Sequence, residues 1–332
     1  MRSVVRYWLP IASLASLASL FAPFAFVTSA VAAPPDARAW LTRIHAAAYE
    51  RNYQGTLVVS ANGVVSSSRI AHFAVGDQSY ERVEALDGRQ QRVYRVNDSV
   101  HTIWPQSGVA VVEDRPAIAK LPAARRSVDP RALDHYDAKL EGVERVAGRD
   151  AQVLLLQPKD AWRYAQRLWA DRATGLMLRA DIVGADRTVL ESSAFSAVEL
   201  GIRPQPDTVT QPIRKLDGYR IVKTQLSPTQ LEAEGWALER PVPGFRLAGV
   251  VKRPLEAAGK DEVLQAVFTD GLTHVSLFVE PFDGRRDYAD LSGQVGATGT
   301  LRQRRGLYWI TVMGDVPPLT LKAFSEALQR KH

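Results

Sequence analysis

Gln54-Gly-Thr-Leu-Val-Val-Ser-Ala-Asn-Gly-Val-Val-Ser-Ser-Ser-Arg-Ile-Ala-His-Phe73 decides the fold class. Two runs rich in β-branched residues flank Asn62-Gly63, the dipeptide that best tolerates the successive positive φ angles of a tight hairpin turn. The stretch therefore predicts two paired antiparallel strands, over 54–61 and 64–73.

Upstream the period changes. After Pro34-Pro35, Asp36 is placed to cap a helix in which Ala37, Trp40, Leu41, Ile44 and Ala48 recur at helical spacing, ending near Asn52. Downstream, further strands are predicted over 79–85, 90–96, 99–104 and 109–113, with Asp87-Gly88 and Asn97-Asp98 as turns. A helical interruption is predicted around 130–136. Strands then resume over 138–146, 151–158, 164–171, 176–183 and 189–200. One helix followed by about ten short strands predicts a curved antiparallel sheet or unclosed β-barrel.

The run Arg203-Pro-Gln-Pro-Asp-Thr-Val-Thr-Gln-Pro212 holds three prolines and few apolar side chains, so 203–214 is expected to be a linker that does not pack. It divides a first domain, 34–202, from a second, 215–332. In the second, strands are predicted over 246–252, 263–269, 272–280, 301–304 and 308–313, with a closing helix over 319–328, which describes a smaller α+β unit. The whole is α+β, mostly β.

The first residues predict export. Arg2 and Arg6 precede an apolar run from Tyr7 to Val27 that closes on Thr28-Ser-Ala-Val-Ala-Ala33, the three-part pattern of a signal peptide over 1–33. A retained anchor is the other reading of a run this long, but Pro23 and the Ala-x-Ala site favour cleavage and a periplasmic mature chain. Losing Arg2 and Arg6 lowers the formal charge from +6 to +4. So mild a balance, with nothing denser than Arg302-Gln-Arg-Arg305, does not describe a nucleic-acid binder. The chain has no cysteine, which excludes disulfides and thiol chemistry.

Motifs for catalysis are lacking. There is no Gly-x-Ser-x-Gly elbow, and His45, His72, His101, His135, His274 and His332 never recur at metal-ligand spacing. His72 reads as a hydrogen-bonded sheet residue. Gly293-Gln-Val-Gly-Ala-Thr-Gly299 lacks the lysine of a phosphate loop and is expected to be a bent strand or loop. No enzyme activity, cofactor or metal is expected. What an unclosed sheet offers instead is an apolar cavity, for which Leu57, Val59, Val93 and Trp104 are the candidate lining. An ordinary core is the competing reading for each of them. Arg69 and Arg95 are the candidate partners of an anionic group.

Several stretches together resemble the periplasmic RseB/MucB family of negative regulators of the envelope-stress response. They are Asn52-Tyr-Gln-Gly-Thr56, Ser68-Arg-Ile-Ala-His72, Leu86-Asp-Gly-Arg89 with Arg92-Val-Tyr-Arg95, Pro243-Gly-Phe245, Phe268-Thr-Asp-Gly-Leu272 running into Val275-Ser-Leu-Phe-Val-Glu280, and Val312-Met-Gly-Asp-Val-Pro317 before Thr320-Leu321. The resemblance implies a first domain folded like the lipoprotein carriers. It also implies a function: binding the periplasmic part of a membrane-spanning anti-sigma factor, shielding it from site-1 proteolysis, and releasing it when lipoprotein acyl chains or lipopolysaccharide are sensed. On that reading, partner contacts are expected around Phe268, Leu277, Phe278, Val312 and Val316. A lipoprotein or lipid carrier is the alternative function, an envelope hydrolase a third, and homo-oligomerisation is left open.

Overall fold

A computed structural model describes residues 36–114, 130–254, 262–283 and 289–331. The predicted signal peptide lies outside these residues.

The chain opens with helix α1 (Ala37–Glu50), whose Asp36 side chain accepts a 2.8 Å hydrogen bond from the amide of Ala39. Such a cap contributes about 1 kcal/mol. Eleven strands follow: β1 (Tyr53–Ala61), β2 (Val64–Val75), β3 (Gln78–Ala85), β4 (Arg92–Val96), β5 (Ser99–Trp104), β6 (Val109–Asp114), β7 (Tyr136–Val146), β8 (Arg149–Pro158), β9 (Ala165–Asp171), β10 (Met177–Val183) and β11 (Val189–Leu200). The Asn62-Gly63 turn has the expected left-handed pair, φ 50° and 76°. A 3-10 turn at Pro130–Asp134 stands where the helical interruption was predicted.

These strands run in the order β6-β5-β4-β3-β2-β1-β11-β10-β9-β8-β7, antiparallel throughout, so the first strand of the sequence pairs with the last of the series. The sheet curls without closing. Trp40, Leu41 and Ile44 of α1 are buried on its face against Tyr136, Leu154, Leu156, Leu168 and Ala170. Each large side chain so buried contributes about 1.5–3 kcal/mol.

The expected linker is a packed element. Residues Asp207–Arg214 form helix α2, and Val209 is fully buried against Ala71, Phe73, Tyr94, Ile103 and Ala110. Val209 and Ile213, four residues apart, make a narrow apolar stripe, and Ile202, Leu216 and Tyr219 pack around it. Prolines did not prevent this: Pro206 stands before the helix, and Pro212 falls in its last turn. The chain then returns to the first sheet as β12 (Arg220–Gln225), which pairs with β6 in parallel, Arg220 opposite Val109, as the twelfth strand. The crossing to the second sheet comes only at Leu226.

The second sheet has seven strands, ordered β13 (Ser227–Thr229), β15 (Arg246–Pro254), β16 (Glu262–Thr269), β17 (His274–Pro281), β20 (Tyr308–Gly314), β19 (Thr298–Arg305) and β18 (Leu291–Val295). Between β13 and β15 lies the short β14 (Trp236–Leu238), which pairs with β21 (Leu328–Arg330). Helix α3 (Pro318–Ala327) covers one face, where Phe324 stacks against Phe268 and Phe245 at 4.9 and 5.4 Å. The glycine-rich run 293–299, expected as a bent strand or loop, is the two-residue hairpin joining β18 to β19. Among the described residues no helix is long and apolar enough to cross a membrane.

Candidate functional site

Strand alternation sorts the candidate residues by face. Leu57 stands opposite Ser68, and Ile70 is followed across the sheet by Val83, Val93 and Thr102. Leu57, Val59, Val93 and Trp104 thus share one face by register. Arg69 lies on the other, 58% exposed and 4.0 Å from Glu84. Arg95 returns to the first face, where its Nε is 3.4 Å from the largely buried Glu81. The two arginines therefore do not converge on one anion.

Beneath α1 is a cleft of about 190 Å³. Its walls are Ile44 and Ala48 of the helix, Tyr53, Leu57 and Val59 of β1, Ile70 of β2, Leu176, Leu178 and Ala180 around β10, and Phe195 of β11. Glu191, Ser193 and Arg179 are its polar members. The charge of Arg179 is already matched by Asp181, 2.6 Å away. Of the four apolar candidates, Leu57 and Val59 line this cleft; Val93 and Trp104 are half-buried further along the sheet. The β10 and β11 walls carry no local signal, because they join β1 only through the β1–β11 pairing, which spans most of the domain, whereas the α1 wall directly precedes β1 in the chain.

An apolar trough with a few polar groups at its rim suits a flexible alkyl chain. The Ser193 hydroxyl within it donates to the Ala180 carbonyl at 3.5 Å. His72, behind Tyr53, has Nδ1 2.7 Å from the Arg51 carbonyl, which only accepts, so this nitrogen carries the proton and fixes the ring as a structural group. Among the described residues no group of three His, Asp or Glu side chains is placed to hold a metal ion.

The residues expected to meet a partner fall mostly inside the second module. Phe268, Leu277, Val312 and Val316 are at most 5% exposed and pack under α3. Their burial makes them core residues, a correction to the expected contact surface. Phe278 differs. It alternates with buried Leu277 and Val279, faces away from α3 and is half-exposed.

The profile of the MucB/RseB N-terminal domain matches residues 36–213, and that of the MucB/RseB C-terminal domain matches residues 230–329. The chain belongs to the MucB/RseB family. The two matches stop on either side of the crossing from β12 to β13. Among its relatives is the sigma factor AlgU regulatory protein MucB of Pseudomonas aeruginosa, 32% identical over 294 residues, 85% of this chain and 87% of that one. The sigma-E factor regulatory protein RseB of Haemophilus influenzae is 26% identical over 275 residues, covering 82% and 84%. Among solved structures, the Pseudomonas aeruginosa MucA/MucB complex superposes with a TM-score of 0.69 at 30% identity, over 90% of this chain and 100% of that chain. MucB alone gives 0.65 at 28% identity, over 89% and 98%. The likeness of MucB/RseB proteins to this chain therefore extends over both sheets.

Proposed function

We propose that this chain is a periplasmic regulatory binding protein that holds the periplasmic part of a membrane-spanning anti-sigma factor, shields it from site-1 proteolysis, and lets it go when an acyl chain of lipoprotein or lipopolysaccharide enters the cleft beneath α1. The observation that carries the first half is the match, over nearly the whole chain, to MucB as it stands in complex with MucA. The sensing half is supported by the cleft, which is apolar and open in an unclosed sheet. A lipid can shift the complex only through unequal affinity for the free and bound states, so cleft and partner must be thermodynamically linked.

The test is a titration of the exported chain with the periplasmic segment of the anti-sigma factor, repeated with palmitoyl lipopeptide or lipopolysaccharide. Tight binding that weakens at least tenfold with the lipid is expected. Binding that is absent, or indifferent to lipid, would overturn the respective half. The carrier reading needs the cleft alone. Stranding of lipoproteins at the inner membrane on loss of the gene, without an envelope-stress response, would favour it instead.

A further inference from the structure

On β11 the cleft's lining reaches Glu191. Leu57, Val59 and Ala61 alternate along β1 and so share a face, and the register sets Val59 opposite Ser193 and Ala61 opposite Glu191 on β11. The trough therefore points toward the Ala61–Glu191 pair, at the rim of the first sheet.

A piece of the second module sits on that rim. The β18–β19 turn brings Gly296, at φ +61°, so close that a Cβ there would lie 2.8 Å from the Cβ of Ala61 and 3.0 Å from Oε2 of Glu191. Only glycine permits both the approach and the backbone conformation. The next residue, Ala297, is fully buried against Tyr164, Ile182 and Leu190. Two long hydrogen bonds hold the turn: Asn62 Nδ2 donates to the Gln294 carbonyl at 3.4 Å, and Gln294 Nε2 to the Tyr164 hydroxyl at 3.3 Å.

We propose that the β18–β19 turn is a length gate on the cleft, seated on Ala61 and Glu191 so that a short acyl chain binds with the turn in place while a long one must displace it. The inference rests on the acyl-binding reading above and adds to it how the second module would register an occupied cleft. The balance of forces suits such a device. The seat includes one small buried side chain and two stretched hydrogen bonds, whereas each methylene buried in an apolar site adds about fourfold in affinity. A few methylenes outweigh it. Displacing the turn moves β18 and β19, which belong to the same sheet as the half-exposed Phe278.

The absence of native cysteine gives a reversible test. In the triple variant Ala61→Gly, Glu191→Cys and Gly296→Cys, the Ala61 Cβ and the Glu191 carboxylate that would crowd a side chain at 296 are removed, and the two cysteine Cβ positions lie 3.5 Å apart, inside the disulfide range of roughly 3.5–4.5 Å. Oxidation should pin the turn, and reduction should free it in the same molecule. With fluorescent palmitoyl and octanoyl peptides as probes, oxidation should weaken palmitoyl binding at least tenfold, reversibly, and change octanoyl binding less than twofold. Gly296→Val, which cannot seat, should bind the palmitoyl peptide several-fold more tightly than the natural chain. Equal palmitoyl affinity in the two redox states, equal loss of both probes, or failure of the disulfide to form would each overturn the gate. If the natural chain binds neither probe, the acyl-binding reading itself falls; if it binds palmitoyl and the lock has no effect, only the gate does.

Discussion

Arg163 and Asp270 form a fully buried ion pair between the two sheets, with Nη1 of the arginine 3.2 Å from Oδ2 of the aspartate. Arg163 comes from the loop between β8 and β9, and Asp270 from the Asp-Gly turn between β16 and β17. Both side chains have further partners. Arg163 donates to the Pro243 carbonyl at 2.7 Å and to Asp160 at 3.1 Å, and Asp270 accepts from the Tyr136 hydroxyl and from the amides of Leu272 and Thr273. Two of the sequence stretches that carry the family resemblance, Pro243-Gly-Phe245 and Phe268-Thr-Asp-Gly-Leu272, thus meet around one guanidinium.

Removing one member of a satisfied buried pair strands the other charge, which costs about 3–5 kcal/mol. Arg163→Met should therefore lower stability to urea by that order, and Arg163→Met with Asp270→Asn should recover part of the loss. Chemical denaturation followed by tryptophan fluorescence measures both. Equal stability of Arg163→Met and the natural chain would show that the sheets do not depend on this contact.

Gly244 makes room for the pair. It has φ +78°, and a Cβ there would lie 2.6 Å from Nη2 of Arg163. Gly244→Ala combines backbone strain of about 1–3 kcal/mol with that clash, and should lower the melting temperature. In the Arg163→Met background the clash with the guanidinium is gone and only the close approach to His135 Cε1, 2.9 Å away, remains, so the same change should cost less.

The Tyr136 hydroxyl is pushed well above its ordinary value of 10.0, first by burial and then by the negative charge of Asp270. The unfolded chain ionises near that ordinary value, but the folded chain does not. The stabilisation is complete below about pH 10 and is lost as pH rises further toward the folded value. Tyr136→Phe should flatten the alkaline limb of the stability curve. An alkaline limb of unchanged slope would assign it to other groups.

Filling the cleft should separate sensing from holding. Leu57→Trp adds bulk at a wall residue and should weaken palmitoyl-peptide binding at least tenfold while leaving lipid-free affinity for the anti-sigma segment within twofold. Loss of both would point to a misfolded domain, which circular dichroism would reveal.

What the sequence made legible was local. Strands β5 and β11 occupy the expected spans, and α1 begins at its expected cap. Helix α2 escaped because its apolar stripe is two residues long and stands among prolines, so its burial is evident only once Phe73, Tyr94 and Ile103 are assembled beneath it. The cleft was half legible for the same reason. Leu57 and Val59 belong to the hairpin that opens the sheet, but Phe195 and Leu178 reach them through pairings with strands far along the chain. Arg163 carried no signal, since a loop arginine is ordinary until its surroundings are known.

The parallel placement of β12 beside β6 carries a consequence for how the molecule comes to be made. The edge of the first sheet stays bare until a segment from far downstream, beyond α2, has arrived to cover it. Exposed strand edges invite pairing with neighbours, and contacts distant in sequence form slowly. A chain still being assembled would carry that vulnerable border through most of its folding, which makes the passage from β6 to β12 the interval in which a chaperone would have most to protect.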